Sequence, residues 1–284
     1  MKKTTILRQL LSTEKTIVAP ASYDCLSAMI VENVGFKATF LSGYCLAASA
    51  KGMPDVGTES RADVVARAMQ VTNAVDIPVI CDAGNGYGGP IGTYQSIREL
   101  EAAGVAGCFI EDQSYPPACP GLRTPTVVPM EEFMPKLKAA LEARTDEDFV
   151  IIARTDAGAS LGLDAAIERC HAFKEAGADL VICTAGMPKT KDELLGAIKK
   201  IGVPMGPMPP HFESGITLKD YEDTGNMKII SGLETLMTVA KSMKDCLTEL
   251  KEKGRSDSSK AMSMPEWMEL MKLKKWTELE KKYM

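Results

Sequence analysis

Each thing this sequence lacks closes off a class of function. No stretch approaches the roughly 18 apolar residues that a membrane-spanning helix needs. The N-terminal MKKTTILRQLLST is only a broken apolar run, too short and too polar for a signal-peptide core. The expectation is a cytoplasmic protein that engages no membrane. A basic surface is missing too: 33 Lys and Arg against 38 Asp and Glu leave a formal net charge of -5, which cannot displace the counterions of a nucleic acid. The eight cysteines form no CxxC pair and no zinc-type Cys/His spacing, so they read as free thiols, mostly small core residues. A Gly-rich phosphate turn is also absent. The first strand-like run leads instead into APASYDCLS, which argues against a dinucleotide-binding open sheet.

What is present is ordinary globular material, 284 residues with 45% hydrophobic and 25% charged. Short apolar runs rich in Val, Ile and Phe recur at 16–22, 37–43, 77–84, 107–113, 149–156, 179–186, 203–209 and 228–232. Turns follow them, then segments of helical periodicity such as SRADVVARAMQVTNAV and GLDAAIERCHAFKEAG. That is the βα pattern of a parallel sheet. Eight such units predict an α/β fold, a (β/α)8 TIM-type barrel, over residues 1–255, with an N-terminal helix in 1–13 lying across its lower end. A polar break, GRSDSSKA, precedes a helical tail at 256–284 that carries Trp267, Met268, Met271 and Trp276 at helical spacing. One face of this C-terminal extension is too apolar to sit in water alone. It is expected to pack against its own barrel or against a neighbouring subunit.

In such a barrel the chemistry collects at strand C-termini and the loops beyond them. The second run ends in Ser42-Gly43-Tyr44, with Asp55 in its loop; the third ends in Asp82; the fourth in Glu111-Asp112-Gln113; the fifth in Arg154-Thr155-Asp156. Several acids and one arginine aimed into one mouth would repel or desolvate badly unless a cation and an anionic ligand were shared among them. Hard oxygen donors select Mg²⁺, or Mn²⁺, over zinc, and the planar guanidinium suits a carboxylate. The plainer alternative is that these acids pair with lysines at the barrel rim.

The stretches APASYDCLSAMIVENVGF, FLSGY, GMPDVGTES, CDAGNGYGG, AAGVAGCFIEDQ and DFVIIARTDA together resemble the isocitrate lyase/phosphoenolpyruvate mutase superfamily. The likeness runs over nearly the whole chain. It implies a (β/α)8 barrel whose last helix is often exchanged within a homo-oligomer, a dimer or tetramer, and Mg²⁺ binding of a pyruvate-like or enolate fragment. Carried over by position, Ser42 and the Gly43 and Tyr44 amides would grip a carboxylate that Arg154 also binds. Asp82 would ligate the metal, with Asp55 and Glu111 holding its waters. Glu111, Arg154 and Cys119 would be the catalytic residues.

The departures are informative. The superfamily's lyases have DAD where this chain has Asp82-Ala83-Gly84, so one metal-shell acid is missing. Their loop after the fourth strand reads KKCGH or KRCGH, supplying a cysteine acid. Here PPACPGLRTP keeps Cys119 but has Pro117 at the lysine and Gly121 near the histidine. Arg123 could partly replace those basic neighbours, and a passive loop thiol is the other reading of Cys119. Thr184, Met208 and Leu236 stand where lyases recognise the far half of a tricarboxylate, and His211 could supply an acid or base there. The resulting expectation is a Mg²⁺-dependent carbon–carbon lyase that releases an oxo acid from an alkylmalate-like small-molecule carboxylate. The alternatives are an oxaloacetate-type decarboxylase or hydrolase, a phosphonopyruvate-type enzyme, and a non-catalytic carboxylate-binding barrel.

Overall fold

Every run read as a strand occupies a barrel position in the computed structural model, which describes residues 1–257, 259 and 261–284. One parallel sheet takes its strands in chain order: Ala21–Ser22, Thr39–Leu41, Val79–Asp82, Gly107–Glu111, Val150–Thr155 and Leu180–Cys183. Ile17–Val18 pairs in parallel with Ile229–Ile230. Because Ile17–Val18 and Ala21–Ser22 are two pieces of one run, interrupted at Ala19-Pro20, the ring passes from the last strand through the first to the second. Between the sixth and eighth strands, Met205 bridges Val181 and Met227, and Met208 bridges Ile230. The seventh run therefore sits in its expected place but forms only isolated bridges. Pro204, Pro207 and Pro209 lack the N–H that a continuous ladder requires.

The strands read as continuous apolar runs because both of their faces are buried. Leu41, Ile80, Ile110 and Ile151 are all at most 1% exposed, each burial stabilising the fold by about 1.5–3 kcal/mol. Phe40 and Phe109 stack with ring centroids 5.9 Å apart. Helices Cys25–Val34, Arg61–Ala74, Pro90–Ala102, Met130–Ala143, Leu163–Glu175 and Lys191–Ile201 alternate with the strands. Capping boxes start two of them, Asp24 with Ser27 and Ser60 with Asp63, each supplying partners for orphan N–H groups.

The N-terminal helix, Lys3–Thr13, lies at the strands' N-terminal ends as expected. Its Leu7 is fully buried. Arg8 pairs with Asp179 at 2.7 Å and donates to the carbonyls of Asp148 at 3.0 Å and Phe149 at 3.1 Å, all at the entrances to the fifth and sixth strands.

The chain divides into two compact units, Met1–Leu233 and Glu234–Met284. Helix Glu234–Lys253, which opens the second, buries none of its side chains. With it go helices Met264–Leu270 and Leu273–Tyr283, and this unit exposes Met243, Leu247, Trp267 and Trp276 while burying Leu270. Among the described residues no helix is long and apolar enough to cross a membrane.

Candidate active site

Asp82 ends the third strand, and two glycine amides fix its carboxylate. Gly43 donates to Oδ2 at 3.2 Å and Gly84 to Oδ1 at 2.9 Å. Position 43 must be glycine for this approach, since a Cβ there would lie 2.8 Å from Oδ2. On neighbouring strands Glu111 and Arg154 are register partners, which puts Arg154 Nη1 3.4 Å from Glu111 Oε2. Arg154 Nη2 meets Asp156 Oδ2 at 2.8 Å, and its guanidinium lies 5.5 Å from the Phe109 ring centroid. Its Nε is buried without a partner. Asp156 also accepts from Gln113 Nε2 at 2.7 Å, Thr184 Oγ1 at 3.0 Å and the Ala185 amide at 3.3 Å. The intervening Asp112 points the other way, into Arg169 at 2.8 Å and Thr155 at 2.6 Å, as the two-residue period of extended chain requires.

The loop after the fourth strand folds over this cluster. Its stem is antiparallel, with Gln113 bridging Val127 and Ser114 N–H donating to the Thr126 carbonyl at 2.9 Å. At its tip the Cys119 amide donates to the Asp55 carbonyl at 3.2 Å. Gly57 allows the approach, since a Cβ there would meet the Pro117 carbonyl at 2.9 Å. The chamber beneath has a volume of about 50 Å³ and is walled by Asp55, Asp82, Glu111, Arg154 and Cys119 with Gly43. Ligand pockets usually measure roughly 300–1,000 Å³, so with the loop in this position the chamber is smaller than a typical ligand site.

Burial dominates the electrostatics. It pushes Asp55 up to about 7, helped by Asp82 and Glu59. Asp82 and Glu111 are raised too, by burial first and in spite of Arg154. Burial would lower the Arg154 guanidinium, but Asp156, Glu111 and Asp82 outweigh it and hold the charge in place. Burial also raises the Cys119 thiol, against a hydrogen bond from the Gly121 backbone. The thiol is therefore a protonated acid rather than a nucleophilic thiolate.

Of the residues singled out from the sequence, Gly43, Asp55, Asp82, Glu111, Cys119 and Arg154 wall one chamber. Ser42, Tyr44, Arg123, Thr184 and His211 do not wall it. The Ser42 hydroxyl caps helix Gly43–Leu46 by accepting from the Cys45 amide at 3.4 Å. Arg123 Nη2 braces its own loop at the Pro116 carbonyl. Thr184 is bound to Asp156, and His211 Nδ1 lies 3.5 Å from Glu213. Sequence reasoning named Gln113 and Asp156 at strand ends without giving them a role, and it passed over Glu59 and Gly57. The first two stand two residues beyond Glu111 and Arg154 and so share their face.

Among the described residues no trio of His, Cys, Asp or Glu side chains is arranged to hold a metal directly. The donor set nevertheless fits Mg²⁺. That ion keeps several waters and takes one or two protein carboxylates, which Asp82, Asp55 and Glu111 could supply. Desolvation raises all three carboxyls together, and the charge of Arg154 does not offset it.

Fold and site define a (β/α)8-type barrel whose ionisable side chains gather at the strand C-termini. Comparison with known proteins narrows this. The family model for phosphoenolpyruvate phosphomutase matches residues 7–251. The 2,3-dimethylmalate lyase of Eubacterium barkeri is 36% identical over 285 residues, 98% of this chain and 96% of that protein. Phosphonopyruvate hydrolase in complex with oxalate and Mg²⁺ matches with a TM-score of 0.90 at 29% identity, covering 100% of this chain and 99% of that one. Oxaloacetate acetylhydrolase with the inhibitor 3,3-difluorooxalacetate matches at 0.89 and 28% identity, covering 99% and 97%. The chain belongs to the phosphoenolpyruvate mutase/isocitrate lyase superfamily, whose members here are lyases, hydrolases and mutases.

Proposed function

We propose that this protein is a Mg²⁺-dependent carbon–carbon lyase, with Mn²⁺ as a substitute ion, that cleaves an alkylmalate-like 2-hydroxy acid to a 2-oxo acid and a carboxylate. The observation that carries this reading is the chamber's division of labour. Three acids with raised pKa values share its walls with Arg154, whose Nε is buried without a partner, and a protonated thiol, Cys119, comes from the loop above. When bound, the metal would polarise the substrate's oxygens and stabilise negative charge developing on them.

Arg154 orients the substrate carboxylate through Nε, the donor its own protein leaves free. The hydroxyl proton leaves to a chamber carboxylate, the C2–C3 bond breaks, and C2 becomes the oxo carbon. The electron pair passes to C3 as an enolate-like carboxylate, which the Cys119 thiol protonates. The loop excludes water while the carbanionic fragment exists.

A second reading, hydrolysis or decarboxylation of oxaloacetate, is favoured by the loop's Pro117 and Gly121, which leave Cys119 without basic neighbours to tune it. The test is a panel of alkylmalates, oxaloacetate and phosphonopyruvate with Mg²⁺, on wild type and Cys119→Ser. The lyase reading expects alkylmalate turnover to fall about 10²–10⁴-fold in Cys119→Ser. Oxaloacetate turnover indifferent to Cys119, with no alkylmalate turnover, supports the second reading. The exposed Trp267, Trp276 and Met243 support a homo-oligomer, a dimer or tetramer, and light scattering behind size exclusion reads its mass.

A further inference from the structure

Gln113 is 4% exposed and takes no part in the lyase steps. Its side-chain amide nevertheless joins two parts of the site that must act together. Oε1 accepts from the Ala118 amide at 2.9 Å, while Nε2 donates to the Ala118 carbonyl at 3.1 Å and to Asp156 Oδ2 at 2.7 Å. Glu111 Oε2 lies farther off, at 3.4 Å. The orientation of this amide is fixed by its partners, since the Ala118 N–H can only donate and the carbonyl and carboxylate can only accept.

The two ends of this connection differ in kind. Gln113 is rooted in the stem through its bridge to Val127, whereas Ala118 belongs to the tip, directly before Cys119. Asp156 Oδ2 is also the oxygen that Arg154 Nη2 holds at 2.8 Å. One amide thus ties the tip of the loop to the carboxylate that aims the substrate-binding arginine. The other tie described at the tip is the single bond from the Cys119 amide to the Asp55 carbonyl.

We propose that Gln113 is a positioning residue that latches the loop over the chamber and sets the Cys119 thiol relative to Arg154. The kinetic consequence rests on the lyase reading above, but the latch itself does not. With the latch intact, the closed loop and the aimed arginine share one hydrogen-bonded unit. Loss of the latch frees the loop and leaves Asp156 short of a donor.

The experiment is site-resolved alkylation of the full-length protein with iodoacetamide, quantified by peptide mass spectrometry for Cys119 against Cys25, Cys246 and the buried Cys45, Cys81 and Cys108. It compares wild type, Gln113→Ala and the near-isosteric Gln113→Glu, which keeps the acceptor for Ala118 N–H but loses both donated bonds. Loss of these bonds is expected to speed Cys119 labelling about 10- to 100-fold, with the rates at Cys45, Cys81 and Cys108 unchanged. Oxalate with Mg²⁺ should protect Cys119 in wild type and much less in either variant. Turnover, where present, should show a fall in kcat larger than the change in KM. A Cys119 rate within about twofold of wild type in a folded variant, or equal acceleration at the buried cysteines, overturns the latch. If Gln113→Ala does not fold, Gln113→Glu decides alone. Because labelling needs no turnover, a failed lyase assay leaves this result standing.

Discussion

A single methyl group at position 43 tests the metal site most directly. Gly43 opens helix Gly43–Leu46, so alanine suits its backbone, and the perturbation is purely one of space. The added Cβ would stand 2.8 Å from Asp82 Oδ2 and 3.2 Å from Cγ. Ordinary van der Waals contact begins near 3.4 Å, so the carboxylate must retreat by about 0.6 Å. It cannot retreat freely, because Gly84 N–H holds the other oxygen at 2.9 Å. Catalytic constellations tolerate about 0.5 Å of displacement, and 1 Å can lower rates about 10²-fold. Gly43→Ala should therefore lower kcat/KM about 10²-fold and weaken Mg²⁺ binding in calorimetric titration, with a stability loss of about 1–3 kcal/mol from overpacking. Gly196→Ala is the control. Its Cβ meets nothing within 4 Å inside helix Lys191–Ile201, so it should stabilise slightly and leave turnover alone. Wild-type kcat/KM and Mg²⁺ affinity in Gly43→Ala would refute the assignment of Asp82 as metal ligand.

Two further outcomes follow from the same geometry. Burial and then Asp82 raise Asp55 from 3.8 to about 7, so the metal-free fold retains a proton that the unfolded chain releases. Stability from this group is therefore fullest below 3.8, falls as pH climbs toward about 7, and levels off above. Melting curves with a chelator should show Tm declining over that window, and millimolar Mg²⁺ should flatten the slope; a chelated protein with no decline contradicts the buried-acid account. At the opposite end of the barrel, Arg8→Ala removes the Asp179 pair and the bonds to three carbonyls. It should cost about 1–3 kcal/mol in denaturant unfolding and leave KM unchanged, because this end builds stability rather than chemistry.

The strands were legible in the sequence because burial on both faces leaves a short-range mark, an apolar run with a polar residue at its end. Asp82, Glu111 and Arg154 were found on that mark alone. Position 113 carried the signal of period two but not its meaning, since a glutamine's value depends on what it reaches, and Ala118 and Asp156 are set by loop and barrel geometry. Ser42 carries two signals at one position. The resemblance implied that it grips substrate, and as a serine just before a helical turn it is also an N-cap, its hydroxyl accepting from the Cys45 amide. The helix that opens the second unit is a related case. The periodicity of Glu234–Lys253 announces a helix with an apolar face, and that periodicity is the same whether the face is buried within the chain or left exposed.

The lyase reading favours a particular kind of substrate. The resemblance sets Thr184 and Met208 toward the far half of the substrate, and neither brings a charge there: Thr184 is committed to Asp156 at 3.0 Å, and Met208 is fully buried. A third carboxylate arriving there would lose its water without meeting a cation, which costs several kcal/mol per ion. A methyl group in the same place gains from burial, about 0.8 kcal/mol per carbon. The two effects act in the same direction, so discrimination should be large. The ratio of kcat/KM for a dimethylmalate over isocitrate should exceed about 10³, because each 1.4 kcal/mol contributes a factor of ten. Comparable turnover of the two would mean that a cation from elsewhere completes this half of the site, and the substrate class proposed for this protein would fall with it.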